Sequence, residues 1–426
     1  MKLNRKFWTA MVLFGLIGQV AWVVENMYLN VFLYQMFHAS AADISRMVGA
    51  SAVSAAVTTV LMGTLSDRVG KRKAFLSGGY VLWGLTILLF GLVRMDRLEA
   101  MTGSVASAAG LGILLVIVLD CVMTFFGSTA NDACFNAWLT DRGGEGSRGK
   151  IEGINAMMPL VSILVVFGGF MGFDLSEADS WTTIFFLIGG VVLVSGVLGF
   201  FLIEELPMAP AKESYWQIVI YSFRPSVFRA NRRLYGTLAL FALFNISIQI
   251  FMPYLILYYE QSLGMSNYVL IMAPAIVLAS VATALYGKVY DRRGYGASAL
   301  PCLALLAAGY VLLYLTRATL PVFVGSLLMM CGYLMGMSVF GARIRSLIPE
   351  NRAGQFQGVR IIGQVLIPGV IGPAIGAWVL RNAEQILNND GTYSFLPNAN
   401  IFAAALIPAL AVGLVLAVSG RKERQA

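Results

Sequence analysis

The sequence predicts an all-α membrane protein of twelve transmembrane helices in two pseudo-symmetric six-helix bundles. Three observations carry that reading: a shortage of charge, apolar blocks too long for a soluble core, and a charged loop that occurs twice. Of 426 residues, 58% are hydrophobic and 12% are charged, against about 25% charged in ordinary soluble domains. A helix of about 20 apolar residues, rising ~1.5 Å per residue, crosses the ~30 Å hydrocarbon core of a bilayer.

The first block, 7–37, follows the basic start MKLNRK and runs on without a small-residue cleavage site. It reads as an uncleaved first span rather than a removable signal. Further blocks fall at 42–66, 73–93, 108–138, 150–173, 181–203, 234–260, 266–290, 296–316, 319–344, 358–380 and 400–419. The longest polar connection divides the chain into an N-terminal bundle (1–203), a central cytoplasmic linker (204–233) and a C-terminal bundle (234–426). An even number of spans puts both termini on one side. Termini and even-numbered connections carry 25 of the 30 Lys and Arg residues, which places that side in the cytoplasm of a cell-membrane protein. The net charge of +8 is then a topology signal and calls for no nucleic-acid partner. Within the linker, residues 214–234 mix aromatic, aliphatic and arginine side chains. Two readings stand for them: an amphipathic helix on the anionic inner leaflet, or a tether packed under the bundles. The four cysteines, Cys121, Cys134, Cys302 and Cys331, sit in apolar spans without metal-type spacing and read as packing residues.

The charged loop is GTLSDRVGKRK, from Gly63 to Lys73, between spans two and three. Its shorter counterpart, GKVYDRRG, lies between spans eight and nine, so that Gly63, Asp67, Arg68 and Gly70 map onto Gly287, Asp291, Arg292 and Gly294. RGKIEG (148–153) after span four is matched in the same way by AGQFQG (353–358) after span ten. Two matches at equivalent places predict a duplicated six-span unit. Gly63 lets a neighbouring helix approach closely, and Asp67 can face the positive N-terminus of another helix. Arg68 and Arg72 are placed to bridge to Asp141 at the cytoplasmic end of span four. The positive-inside tendency alone explains the bases, but not Asp67, the glycines or the duplication.

With these residues in place, G-x-x-x-D-R-x-G followed by basic residues resembles the signature loop of the major facilitator superfamily. Its worn second copy and the paired glycine motifs after spans four and ten fit the same pattern. The resemblance covers the whole chain. It implies two bundles rocking about a midplane solute site, with the loop as a conformational latch that holds the outward-open state. A narrower likeness, to glycoside–cation symporters of the melibiose permease type, rests on early-span acids and NDACFNAWLTDR. It departs from that pattern in span two, whose one acid is Asp43 at the outer lip.

Three acids are read within the apolar spans: Glu25 in span one, and Asp120 and Asp132 in span four. An acid in hydrocarbon is costly unless it faces a cavity or a partner, which makes each a functional candidate. Glu25 and Asp120 both lie roughly 15–18 Å from the outer surface at ~1.5 Å per residue, near the midplane. Trp22, Glu25 and Asn26 share one arc of span one, and Asp120, Thr124, Gly127 and Asn131 share one stripe of span four. With no base at that depth, the acids read as coupling sites for H⁺ or Na⁺. The second half offers uncharged polar groups: Asn245, Gln249 and Tyr333, with Tyr258 and Tyr259. Amides and aromatic faces of this kind suit a neutral polyhydroxylated solute. GPAIG (372–376) marks a hinge or tight crossing in span eleven.

The expected function is therefore secondary active transport by a monomer in a lipid bilayer: proton- or sodium-coupled symport of a small polar solute such as a sugar or glycoside. Proton-coupled efflux of drugs or other amphipathic compounds is the alternative. Nothing points to an enzyme or to a bound cofactor: no nucleophile stands with a histidine partner, and no phosphate-binding loop follows a strand.

Overall fold

The computed structural model describes residues 4–142, 148–204, 220–265, 267–348, 353–388 and 391–425. Residues 205–219 of the central linker lie outside them, as does the side chain of Asp67, so the expected helix on the inner leaflet is described only from Ile220 onward.

Among the described residues, ten helices are long and apolar enough to cross a membrane. One of them, Val269–Leu315, is interrupted at Gly294, whose φ of 72° and ψ of −178° suit only glycine. A shorter apolar helix, Met157–Phe170, adds another crossing. Counting the interruption and the shorter helix, ten becomes twelve. Spans one to seven are Arg5–Phe37, Ala41–Val69, Arg72–Phe90, Val105–Arg142, Arg148–Phe170, Ala178–Leu202 and Arg232–Ser262. Spans eight and nine share Val269–Leu315, and spans ten to twelve are Thr319–Leu347, Gly358–Leu380 and Asn400–Gln425.

The chain forms two compact units, one of Met1–Ala39 with Ala50–Tyr221, the other of Ser40–Gly49 with Ser222–Ala426. In the first unit, glycines let spans three and six touch backbone to backbone. A Cβ on Gly84 would meet the Leu193 nitrogen at 2.4 Å, and one on Gly196 the Val81 nitrogen at 2.5 Å. Such contacts drive helix association where lipid offers no hydrophobic gain. Phe32, Phe90, Trp181 and Phe185 form an aromatic cluster with ring centroids 4.9–5.8 Å apart. In the second unit, Gly372 and Gly376 of the GPAIG stretch pack on span seven. A Cβ at these positions would fall 2.4 Å from Gln249 Cβ and 2.4 Å from the Ile250 carbonyl. That stretch is a tight crossing.

Other features stand beside the long α-helical spans. A short helix, Met95–Thr102, fills the connection between spans three and four. A two-stranded antiparallel hairpin, β1 (Gln385–Leu387) and β2 (Tyr393–Phe395), joins spans eleven and twelve, with Gly391 at φ 81° in its turn. Four spans also widen locally into π-helical turns, at Val24–Tyr28, Ser128–Phe135, Tyr258–Ser262 and Ile362–Leu366.

Candidate functional site

Glu25 lies in the π turn of span one and is 8% exposed. Two asparagines bond back to carbonyls in and beside that turn. Asn26 Nδ2 donates to the Trp22 carbonyl at 2.8 Å, and Asn30 Nδ2 to the Asn26 carbonyl at 3.1 Å. Glu25 Oε1 stands 3.0 Å from Ser51 Oγ of span two and 3.0 Å from Thr124 Oγ1 of span four. The two hydroxyls are 2.7 Å apart. Glu25 Oε2 is buried and without a hydrogen-bond partner. A narrow void beside it is lined by Val24, Leu29, Ile87, Phe90 and Met123.

Asp120, one helical turn before Thr124, is 1% exposed. Its Oδ1 is likewise unpartnered, and the Ser51 hydroxyl neighbours its carboxyl. Ser54, one turn beyond Ser51, donates to the Cys121 carbonyl at 2.9 Å. Span two therefore lies against span four along a run of small residues. Among the described residues no Lys or Arg pairs with Glu25 or Asp120. Asp132 occupies the second π turn, where Ser128 Oγ donates to it at 2.9 Å.

Other expected contacts are placed differently. Asn131 is buried, its amide donating to Tyr80 Oη at 2.7 Å, while Tyr80 donates to the Phe14 carbonyl at 2.6 Å. Gly18 makes room for this pair, since a Cβ there would lie 2.1 Å from Asn131 Nδ2. Asn131 is thus engaged between spans one, three and four. Trp22 packs against Trp83 with ring centroids 5.0 Å apart and planes tilted by 48°, and Asn26 is exposed. In the second unit, Asn245 Nδ2 donates back to the Phe241 carbonyl of its own helix at 2.8 Å, and Tyr259 Oη meets Ser326 Oγ at 2.6 Å. Gln249 and Tyr333 are half-buried.

The charged loop forms a clamp within the first unit. Arg72, 7% exposed, donates from Nε to Asp141 Oδ2 at 2.9 Å and from Nη1 to Ser66 Oγ at 2.7 Å. Ser66 in turn donates to the Gly63 carbonyl at 3.0 Å, and a Cβ on Gly63 would lie 3.6 Å from that of Ala133 in span four. Arg68 is exposed, so of the two arginines read as partners of Asp141, Arg72 makes the contact. Gly70 and Gly294, paired by the repeat, share positive φ values of 69° and 72°. Asp291 and Arg292 are exposed, and Gly287 borders open space. Near this second copy, Arg343 of span ten lies over the Tyr295 ring at 5.4 Å.

Ser51 and Ser66 escaped the sequence reading. Glu260, read as the last residue of span seven, lies in the π turn Tyr258–Ser262 that ends the span and is half-buried. At the cytoplasmic end expected for the first unit, Arg142 donates to Glu204 at 2.5 Å, and Asn4 reaches the same carboxylate at 3.0 Å. Those donors, Arg142 first, hold the Glu204 carboxyl below its ordinary value. Among the described residues no group of three or more His, Cys, Asp or Glu gathers where it could hold a metal ion.

Solved structures share this architecture. A mutant of the nucleoside transporter NupG matches at 11% identity and TM-score 0.72, over 97% of this chain and 99% of its own. A bacterial homologue of the human lysosomal transporter Spinster, inward-facing and occupied, matches at 13% and 0.72 over 98% of both chains. The xylose transporter XylE from E. coli matches at 14% and 0.68, over 96% and 97%. No curated relative matches the chain in sequence. The sequence does match the family description Major Facilitator Superfamily over residues 7–373. With twelve spans, a charged loop written twice and a family match over most of its length, the chain belongs to the Major Facilitator Superfamily as a multi-pass membrane transporter.

Proposed function

We propose that this transporter couples the movement of a small, neutral, polar solute to a cation gradient, with Glu25 and Asp120 as the coupling carboxylates. The observation that supports it is the pair itself: two buried acids from facing spans, bridged by Ser51, each with an unpartnered oxygen and no basic partner among the described residues. Two carboxylates held this way are accommodated by a proton or a bound cation, and either couples their occupancy to a gradient. Asp132, deeper along span four, lies towards the cytoplasmic side if the termini are cytoplasmic, as the Lys/Arg distribution indicates. A neutral polar solute suits the amides and rings of the second unit. It also suits the similar solved proteins, which include a nucleoside transporter and a D-xylose–proton symporter. Gln249 and Tyr333, half-buried, are better solute candidates than Asn245, whose amide bonds its own helix, or the engaged Asn131.

The test is charge movement and solute uptake in proteoliposomes, screened over sugars, nucleosides, amino acids and cationic dyes, with imposed proton or sodium gradients. Expected is electrogenic accumulation of a neutral polar solute, with Glu25→Gln and Asp120→Asn retaining exchange but losing accumulation. Accumulation by both variants would overturn the assignment. Outward movement of cationic dyes alone would replace symport with efflux.

A further inference from the structure

The contacts around Glu25 can be counted in protons. Three oxygens, Glu25 Oε1, Ser51 Oγ and Thr124 Oγ1, make three mutual contacts of 3.0, 3.0 and 2.7 Å. Oxygens at such separations are held by a hydrogen between them. A hydroxyl carries one hydrogen and an ionised carboxylate none. Ser51 and Thr124 therefore supply two protons for three contacts. If both donate to an ionised Glu25, the 2.7 Å contact between them sets lone pair against lone pair. If one donates to the other, a 3.0 Å contact to Glu25 goes empty. The shortage deepens because the Asp120 carboxyl also neighbours Ser51.

We propose that the missing hydrogen is on Glu25, which closes a three-membered ring with Ser51 and Thr124, so that the coupling cation is a proton and this conformation is the loaded one. In the ring, Glu25 Oε1–H donates to one hydroxyl, that hydroxyl to the second, and the second back to Oε1. Each of the three ring contacts then has one donor and one acceptor; the Asp120 contact lies outside the ring, and a hydrogen for it has to come from Asp120 itself. The second carboxyl oxygen bears on the same point. Oε2 is buried and unpartnered, a modest loss for the carbonyl oxygen of a neutral acid but a severe one for a charged carboxylate. A sodium ion would instead need a lone pair from each oxygen turned towards it, which would pull the three apart. Ser51 and Thr124 are thus positioning residues that hold the acid proton. The titratable groups facing Glu25 are Asp120, Cys121 and Asp132, all from span four, while span two contributes the Ser51 hydroxyl.

This inference rests on the coupling reading above, and infrared difference spectroscopy of the full chain in lipid separates the two. At neutral pH the wild type should show a carboxylic acid C=O band that shifts in D₂O and is retained in Asp120→Asn. The band should disappear in Glu25→Gln. It should move to higher frequency in Ser51→Ala and in Thr124→Val, each of which opens the ring while leaving Glu25 in place. Sodium chloride at constant pH should leave it unchanged. A wild type without the band, a band that survives Glu25→Gln, or one unmoved by opening the ring overturns the proposal. Loss of the band on adding sodium overturns it too, yet leaves the coupling reading standing with a different ion. Solute accumulation by Glu25→Gln would sink the coupling reading whatever the spectrum shows.

Discussion

Substituting Asp141 by Asn tests whether the charged loop is a built clamp or a row of surface bases. The Arg72 side chain is 9% exposed and that of Asp141 26%. Removing one partner of a fully buried ion pair costs about 3–5 kcal/mol, because the other charge is left uncompensated. Water reaches Asp141, and Arg72 keeps its bond to Ser66, so the expected loss is smaller, about 1–3 kcal/mol. Arg72→Met removes the charge instead, and the double variant should recover about 1 kcal/mol or more of the summed loss. Thermal unfolding in detergent, read by a thiol-reactive dye, suits the measurement because Cys134, Cys302 and Cys331 are buried. In domains of this size ~1 kcal/mol moves the midpoint by about 2–4 °C. The control is Asp291→Asn in the second copy: its side chain is exposed, so the change should stay within ~0.5 kcal/mol. Equal effects at Asp141 and Asp291, or strict additivity of Arg72→Met with Asp141→Asn, would refute the clamp.

Three further outcomes follow from the same coordinates. Gly84→Ala places a Cβ 2.4 Å from the Leu193 backbone nitrogen and should cost about 1–3 kcal/mol by forcing spans three and six apart. Gly78→Ala, with open space around it, should be neutral or slightly stabilising in the same thermal assay. Gly294→Ala should cost about 1–3 kcal/mol, since only glycine adopts its backbone angles easily, whereas Gly296→Ala should not; equal midpoints for the two would contradict the reading of the break between spans eight and nine. Glu204 has a lowered value through Arg142 and Asn4. The stability it lends is present above the ordinary glutamate value of 4.5 and is lost as pH falls through its lower folded value. On acidification below that range the wild type should lose more thermal stability than Glu204→Gln.

The spans were legible because twenty apolar residues in a row have few other uses, and the loop because its charge interrupts them. The contact of Arg72 with Asp141 was legible for the same reason: few charges end adjacent spans on one side, so partners are scarce. Ser51 was not. It lies in ASAVSAA, where small residues surround span two on every side, and only packing on span four fixes which serine turns towards Glu25. Asn131 looked like a solute ligand from its place on the Asp120 stripe. Nothing in the order of residues reveals that Gly18 opens a slot for its amide beside Tyr80. Glu260 was read as the last residue of its span because the run of apolar residues stops there. The helix continues to Ser262 through a π turn.

The π turns tie these misses together. Three of the four contain an acid: Glu25, Asp132 and Glu260. A π turn inserts one residue into the helix and leaves carbonyls to find donors elsewhere, so it persists only where local side chains supply them. In the first two turns Asn26, Asn30, Thr129 and Asn136 donate to the carbonyls of Trp22, Asn26, Phe125 and Asp132, so Glu25 and Asp132 sit where side chains share the fastening of the helix. Rewinding the turn in span one by a single residue would rotate Glu25 by about 100°, away from Ser51 and Thr124. The ring that holds its proton would open in the same movement. Replacing Asn26 and Asn30 together by Ala, which removes the two amides while leaving Glu25, Ser51 and Thr124 in place, should therefore weaken proton retention without touching the acid. An unshifted Glu25 carboxylic acid band in that double variant would show that the turn and the proton are independent.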